Sequence, residues 1–163
     1  MKVIRDHSKL EDNSYLVATI GYFDGIHLGH KEIINRMITD AKSNNGKTVL
    51  ISFWPHPRTV LHENTSVELI LSEKQKINLL KKMGIDIFYV IEFTKEFSQM
   101  SALAFIKEYL ENKLRINKLI IGYNHSFGHK REGNFRFLKR NKQNLSFEID
   151  EVKKKEIDKN LKI

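Results

Sequence analysis

The chain has 163 residues, 40% hydrophobic and 29% charged, which suits one globular domain with a sizeable core and is short for two. It contains no cysteine, which excludes disulfides, thiolate–metal sites and a cysteine nucleophile, and no apolar run near the ~20 residues of a membrane helix. The net charge of +8 (28 basic, 20 acidic) is concentrated over residues 129–142, where Lys130, Arg131, Arg136, Lys139, Arg140 and Lys142 face Glu132 alone; such a patch attracts any polyanion and decides nothing by itself.

Residues 15–21, Tyr-Leu-Val-Ala-Thr-Ile-Gly, predict a buried strand: short, apolar, β-branched and closed by glycine. From residue 29 to 41 the positions Ile33, Ile34, Met37, Ile38 and Ala41 recur at spacings of three and four, the stripe of an amphipathic helix. Asn44, Asn45 and Gly46 end it, and residues 48–53 predict a second buried strand. The three pieces form a βαβ unit, which implies parallel strands and a right-handed crossover. Trp-Pro-His-Pro over 54–57 stops that strand, because proline has no ladder donor and restricts its predecessor. A loop is expected to about residue 71.

Ser72, with Gln75 three residues on, reads as a capping box opening a helix to Met83, and Gly84 closes it. Residues 85–91 predict a third strand. Ser101 is placed to cap a helix to about Leu114, with Leu103, Ile106, Leu110 and Leu114 inward. Residues 118–121 predict a fourth strand ending at Gly122, residues 133–144 a basic helical piece, and residues 146–152 a fifth strand. Strands alternating with helices predict a single α/β domain built on an open, doubly wound parallel sheet. Ligands in such sheets sit beyond the carboxyl ends of the strands, near the reversal of strand order. The three loops over 21–30, 54–58 and 122–134 all fall there.

The first of them carries His27-Leu-Gly-His30 where the loop turns into a helix. Free backbone N–H groups and the positive end of the helix dipole make this a phosphate site. Gly25 and Gly29 remove side chains where a nucleotide must approach, and His27 and His30 can aim ring N–H donors at one phosphate chain. A Gly-x-x-x-x-Gly-Lys-[Ser/Thr] loop is absent, and Gly21, Gly25 and Gly29 have the wrong spacing for a dinucleotide fingerprint. A zinc site would need ligands from other loops, such as His56, His62 or His125; two histidines that merely cap or pack are the bland alternative. No metal site is expected within the protein.

Gly-Tyr-Phe-Asp-Gly-Ile-His-Leu-Gly-His over 21–30 resembles the G-x-F-D-G-x-H-x-G-H signature of bacterial FAD synthetases, within the HxGH nucleotidyltransferase superfamily. Phe-Trp-Pro-His-Pro over 53–57 looks like that family's F-x-P-H-P. Gly-Tyr-Asn-His-Ser-Phe-Gly-His-Lys-Arg-Glu-Gly-Asn over 122–134 is similar to its G-x-[D/N]-x-x-F-G-x-x-R-x-G-[N/D]. The first block alone indicates the superfamily, and the three together are specific. The resemblance runs from about residue 3 to 152 and implies a Rossmann-like nucleotidyltransferase domain. The implied reaction is attack of the FMN phosphate on the α-phosphorus of ATP, giving FAD and pyrophosphate, with Mg²⁺ assisting through the ATP phosphates.

What the resemblance implies for single residues is as follows. His27 and His30 hold the triphosphate and stabilise charge developing toward pyrophosphate, with Asn124 on the nucleotide or its metal-bound phosphates. Gly21, Tyr22 and Phe23 line the nucleotide cleft, while Asp24 either does so or braces the loop. Pro55, His56 and Pro57 shape a flavin pocket or form a rigid turn. Gly122, Phe127, Arg131 and Asn134 complete the flavin and phosphate side, where the Arg131 guanidinium suits a phosphate.

The family also carries a Ser-Ser-Thr-x-x-Arg block after the last strand. Here residues 153–163, Lys-Lys-Lys-Glu-Ile-Asp-Lys-Asn-Leu-Lys-Ile, stop about where that block would begin. The expectation is thus an adenylyltransferase domain over 1–163, truncated near its C-terminal end and without a riboflavin kinase domain, which in the full-length protein would be fused downstream. Small nucleotides and flavin are the expected partners, with no nucleic acid, no membrane, a monomer or weak oligomer, and a cytoplasmic address. Two alternatives are a cytidylyltransferase-like enzyme of the same superfamily and a nucleotide-binding module without catalysis.

Overall fold

A computed structural model describes residues 1–5, 9–24, 28–62 and 71–154. Six strands form one sheet in the order β1-β4-β3-β2-β5-β6, and every pairing is parallel. The strands are β1 (Lys2–Ile4), β2 (Leu16–Ile20), β3 (Lys47–Trp54), β4 (Ile87–Glu92), β5 (Lys118–Gly122) and β6 (Glu148–Val152). From β2 the chain steps to β3 and β4 on one side, then crosses back to lay β5 on the other side of β2, pairing Val17 with Lys118. The sheet therefore reverses between β2 and β5, at the point where a doubly wound fold opens a crevice.

Strands β2, β4 and β5 are almost wholly buried because helices cover both faces. One face carries α1 (Leu28–Ser43) and α3 (Glu73–Met83): Ile33, Ile34, Met37, Ala41 and Leu80 pack on Val17, Leu50, Phe88 and Ile120. Ile34 and Met37 are fully buried, and each such side chain stabilises the packing by about 2 kcal/mol. That seats α1 on the sheet. The opposite face carries α5 (Ala102–Phe105), a π-helical continuation over Ile106–Lys113, and α6 (Phe135–Arg140), packed on Leu16, Ala18, Ile51, Tyr89 and Leu119.

The capping box predicted at Ser72 is present: Gln75 N donates to Ser72 Oγ (3.1 Å), and Ser72 N donates to Gln75 Oε1 (2.8 Å). Gly84 ends α3 in the left-handed region at φ 99°, where a side chain would be strained. Four elements were not foreseen: β1 is a three-residue edge strand, α2 (Pro57–Leu61) is a single turn inside the expected loop, α4 (Lys95–Ser98) is a single turn, and His129–Arg131 is a 3₁₀ turn.

One expected core position differs. Leu103 is 42% exposed, whereas Ile106, Leu110 and Leu114 are buried as anticipated, joined by Ala102, Phe105 and Tyr109. Positions 102, 105–106 and 109–110 form the ordinary three-and-four stripe of a helix, with Leu103 to one side of it, and in the π-helical segment that follows Leu114 N donates to Tyr109 O five residues back. The basic piece expected as one helix over 133–144 is α6 and a 3₁₀ turn at Lys142–Asn144.

Candidate active site

The crevice at the β2/β5 reversal is an open cleft of about 570 Å³. Residues leaving β2 (Gly21, Tyr22, Phe23, Asp24) and β5 (Gly122, Asn124, His125, Ser126, Arg131) form its two walls, and His30 with Ile33 of α1 lie between them. The first and third blocks picked out in the sequence are thereby brought face to face. His30 is the third residue of α1, so it sits beside the unbonded N–H groups and positive dipole end of a 16-residue helix. His27, Gly25 and their neighbour Ile26 lie outside the described residues. Gly29 is in the first turn of α1.

His30 is supported from below by Phe23. The Phe23 ring, 3% exposed, lies with its centroid 4.4 Å from that of His30, and the Phe23 backbone adopts the left-handed region at φ 56°. For a bulky residue that conformation costs about 1–3 kcal/mol and persists only where the surroundings impose it. Gly21 is part of the imposition: a Cβ there would meet Phe23 Cε2 at 2.5 Å, so only glycine leaves room for the ring.

Tyr22 forms the wall between this cleft and a smaller recess lined by Trp54, Leu71 and Lys76. Its carbonyl accepts from Lys76 Nζ at 2.8 Å, and the same ammonium stands 3.9 Å from the ring centroid. Burial, then the carboxylates of Asp24 and Glu73, push the Tyr22 phenol up to about 12. Asp24 braces the loop: its Oδ1 accepts from Leu71 N at 3.0 Å. His56 packs edge-on against Tyr22, centroids 4.2 Å apart, and its Nδ1 accepts from Arg58 N at 3.1 Å as the N-cap of α2, with Pro57 at the first helical position. Burial, with Arg58 next, lowers the His56 pKa, which agrees with a neutral ring accepting at Nδ1. His56 thus stands against Tyr22, and Pro55, His56 and Pro57 are not among the residues lining the cleft.

The third block is a strapped loop. Phe127 and Gly133 exchange two backbone hydrogen bonds of 2.8 Å, and a Cβ on Gly133 would come within 2.6 Å of the Phe127 ring. Phe127 is buried against Phe105 and His125, so it anchors the loop from inside. Between these anchors Lys130 (φ 54°) and Arg131 (φ 57°) both adopt the left-handed region, and Arg131 reaches the cleft with its Nε donating to Ser126 Oγ at 2.7 Å. Asn124 is exposed on the cleft wall. Asn134 lies away from it and caps α6, its Oδ1 accepting from Phe137 N at 2.9 Å.

The FAD synthetase family profile matches residues 9–162. The chain belongs to the FAD synthetase family. It is 39% identical over 153 residues to the "Bifunctional riboflavin kinase/FMN adenylyltransferase" of Buchnera aphidicola subsp. Schizaphis graminum, covering 93% of this chain and 49% of that protein. A protein of the same description from Listeria monocytogenes is 33% identical, over 82% of this chain and 44% of its own length. The chain spans about half the length of these relatives. Among solved structures, one titled as a macrolide-efflux protein from Streptococcus pneumoniae superposes at TM-score 0.79 with 22% identity, covering 94% of this chain and 50% of the other. A pantothenate synthetase from Thermus thermophilus superposes at 0.52 with 13% identity. At those identities the likeness is one of fold.

Set on this FAD synthetase-family fold, the residues not singled out in the sequence are informative. Ser126, which orients Arg131, sits inside the quoted third block but carries no family letter. Lys76 lies on α3, far from any block in sequence, and only the close approach of α3 to residue 22 reveals it. Ile33, expected only as part of the buried stripe of α1, also lines the cleft. Among the described residues, Asp24 is the one carboxylate on the cleft wall, and no group of three His, Asp or Glu side chains is placed to hold a metal ion.

Proposed function

We propose that this chain transfers the AMP moiety of ATP to the phosphate of FMN, giving FAD and pyrophosphate. The observation that supports it most is the donor set: His30 at the N-terminus of α1, with Asn124 and Arg131 opposite, in a cleft holding one carboxylate. Such a set suits a polyanion and leaves a divalent cation to be carried by the substrate's own phosphates, so Mg²⁺ would enter bound to ATP. Among the described residues no activated nucleophile lines the cleft, and none is required: the FMN phosphate oxygen is already anionic, and positioning with charge stabilisation is sufficient for this class of transfer. His30 and Arg131 would stabilise charge as the bond from the α-phosphorus to the departing pyrophosphate lengthens. His27, by the family motif, would act with His30. The bifunctional relatives imply that a riboflavin kinase activity supplies FMN, and the cytoplasm is the compartment we infer.

The test is to incubate the chain with Mg²⁺, FMN and an equimolar ATP/CTP mixture and to identify products by mass spectrometry. FAD is expected, and His30→Ala should slow its formation by on the order of 10²-fold, the effect of losing one preorganised charge stabiliser. A cytidylyl product would move the chain to a cytidylyltransferase-like function. Absence of any product would reduce the reading for this chain to nucleotide binding.

A further inference from the structure

Lys76 is a charged side chain in a place that disfavours charge. It is 6% exposed, and it lies in the second turn of α3, toward the end where the helix dipole is positive. Burial accordingly lowers its pKa, with Asp24 and Glu73 acting in the opposite sense. A lysine serving only to fill space would extend its head to water, and methionine would pack there without desolvating a charge. Instead the ammonium is turned inward onto one target, the main chain and ring of Tyr22, at 2.8 and 3.9 Å. Tyr22 is the residue just before the left-handed turn at Phe23, and Phe23 carries His30 on its ring.

We propose that Lys76 is a positioning residue for His30. By fixing the direction of the Tyr22 carbonyl it fixes the plane of the Tyr22–Phe23 peptide, because the trans peptide is rigid. The Phe23 backbone is then held at φ 56° and its ring against the imidazole. Asp24 ties the far end of the same loop to Leu71 N, so the segment over 21–24 is held at two points from the α3 side. Its significance for nucleotide transfer rests on reading the cleft as the ATP site; its structural content does not.

The test uses Lys76→Met, which keeps length and removes the charge, and Lys76→Arg, which keeps the charge. In Lys76→Met without nucleotide, the His30 imidazole proton signals should move toward those of a free histidine as the Phe23 ring leaves. Exchange of the Leu71 amide should accelerate about tenfold, the size of one lost charged hydrogen bond. Exchange in β3 and β4 and the thermal midpoint should stay the same or improve, since a buried charge has been removed. Lys76→Arg should restore the His30 signals at least in part. Calorimetry with ATP should then show affinity about tenfold weaker in Lys76→Met than in the parent. Unchanged His30 signals, or loosening of the whole sheet together with the loop, would overturn the proposal. Failure of the parent chain to bind ATP would instead count against the cleft's function, leaving the loop measurements to judge Lys76. If Lys76→Met does not fold, Lys76→Gln is read by the same signals.

Discussion

At the scale of single residues, the cleft wall contains a histidine that the fold keeps neutral. His125 stacks on Phe127, its Nε2 is buried with no partner among the described residues, and burial, followed by the Arg131 guanidinium, pushes its pKa from the ordinary 6.5 to about 4. A histidine with a depressed folded-state pKa binds its proton in the unfolded chain first. Its neutral burial is therefore harmless above about pH 6.5, and stability is lost progressively as pH falls from there toward 4. The full loss is at most about 3 kcal/mol. Urea titrations at pH 7, 5.5 and 4.5 should show this loss in the parent and a smaller one in His125→Phe; parallel curves would mean that the ring is not held neutral. The sequence displayed His125 but not this environment. A histidine's pKa depends on which neighbours the fold brings, and Phe127 and Arg131 stand beside it only after the third loop is strapped by Gly133. Lys76 was illegible for the same reason: from its own helix it is one of four lysines over 74–82 and 76 is not distinguished by spacing.

At the scale of elements, that third loop is held to α5 by a contact that only glycine permits. Gly128 has φ 81°, and a Cβ on it would lie 2.7 Å from Ala102 Cα and 2.8 Å from Ala102 N, both backbone atoms of α5. Next to it His129 N donates to Met100 O (2.9 Å), and the His129 ring bonds Ser98 O (3.1 Å). Gly128→Ala combines a disfavoured backbone angle with a collision that no side-chain rotation relieves. It should destabilise the fold by about 3 kcal/mol, measured by chemical denaturation, and weaken ATP binding because Arg131 loses its seat. A loss below about 1 kcal/mol would show that the loop can lift from α5 without consequence. Elements with strong local signals were legible: the apolar run of β2, the stripe of α1, the capping box of α3. Those that failed have weak ones. β1 is three residues whose pairing with β4 is purely tertiary, α2 and α4 are single turns shorter than any period, and the π-helical winding over Ile106–Lys113 has no sequence mark that separates it from an α-helix.

At the scale of the whole molecule, the sheet order matters most. The cleft lies where β2 and β5 part, so its two walls belong to opposite halves of the sheet, tied by α1, which packs on β2, β3 and β5. A ligand bridging His30, Asn124 and Arg131 joins those halves and binds only the folded chain. At a nucleotide concentration 100 times its dissociation constant this linkage is worth about 2.7 kcal/mol, or roughly 5–10 °C in the midpoint of a domain of this size. Calorimetric scans should therefore show ATP raising the midpoint by that order, with a smaller rise in His30→Ala. The net charge of +8 supplies the competing explanation, because any polyanion is drawn to a basic protein. Inorganic tripolyphosphate separates the two. Should it match ATP at equal concentration, and should both effects vanish by about 0.3 M salt, where the screening length has shrunk to roughly 5–6 Å, the stabilisation is nonspecific attraction. If the ATP shift persists in salt and exceeds that of tripolyphosphate, the cleft recognises the nucleoside as well as its phosphates, as an adenylyl-transferring site must.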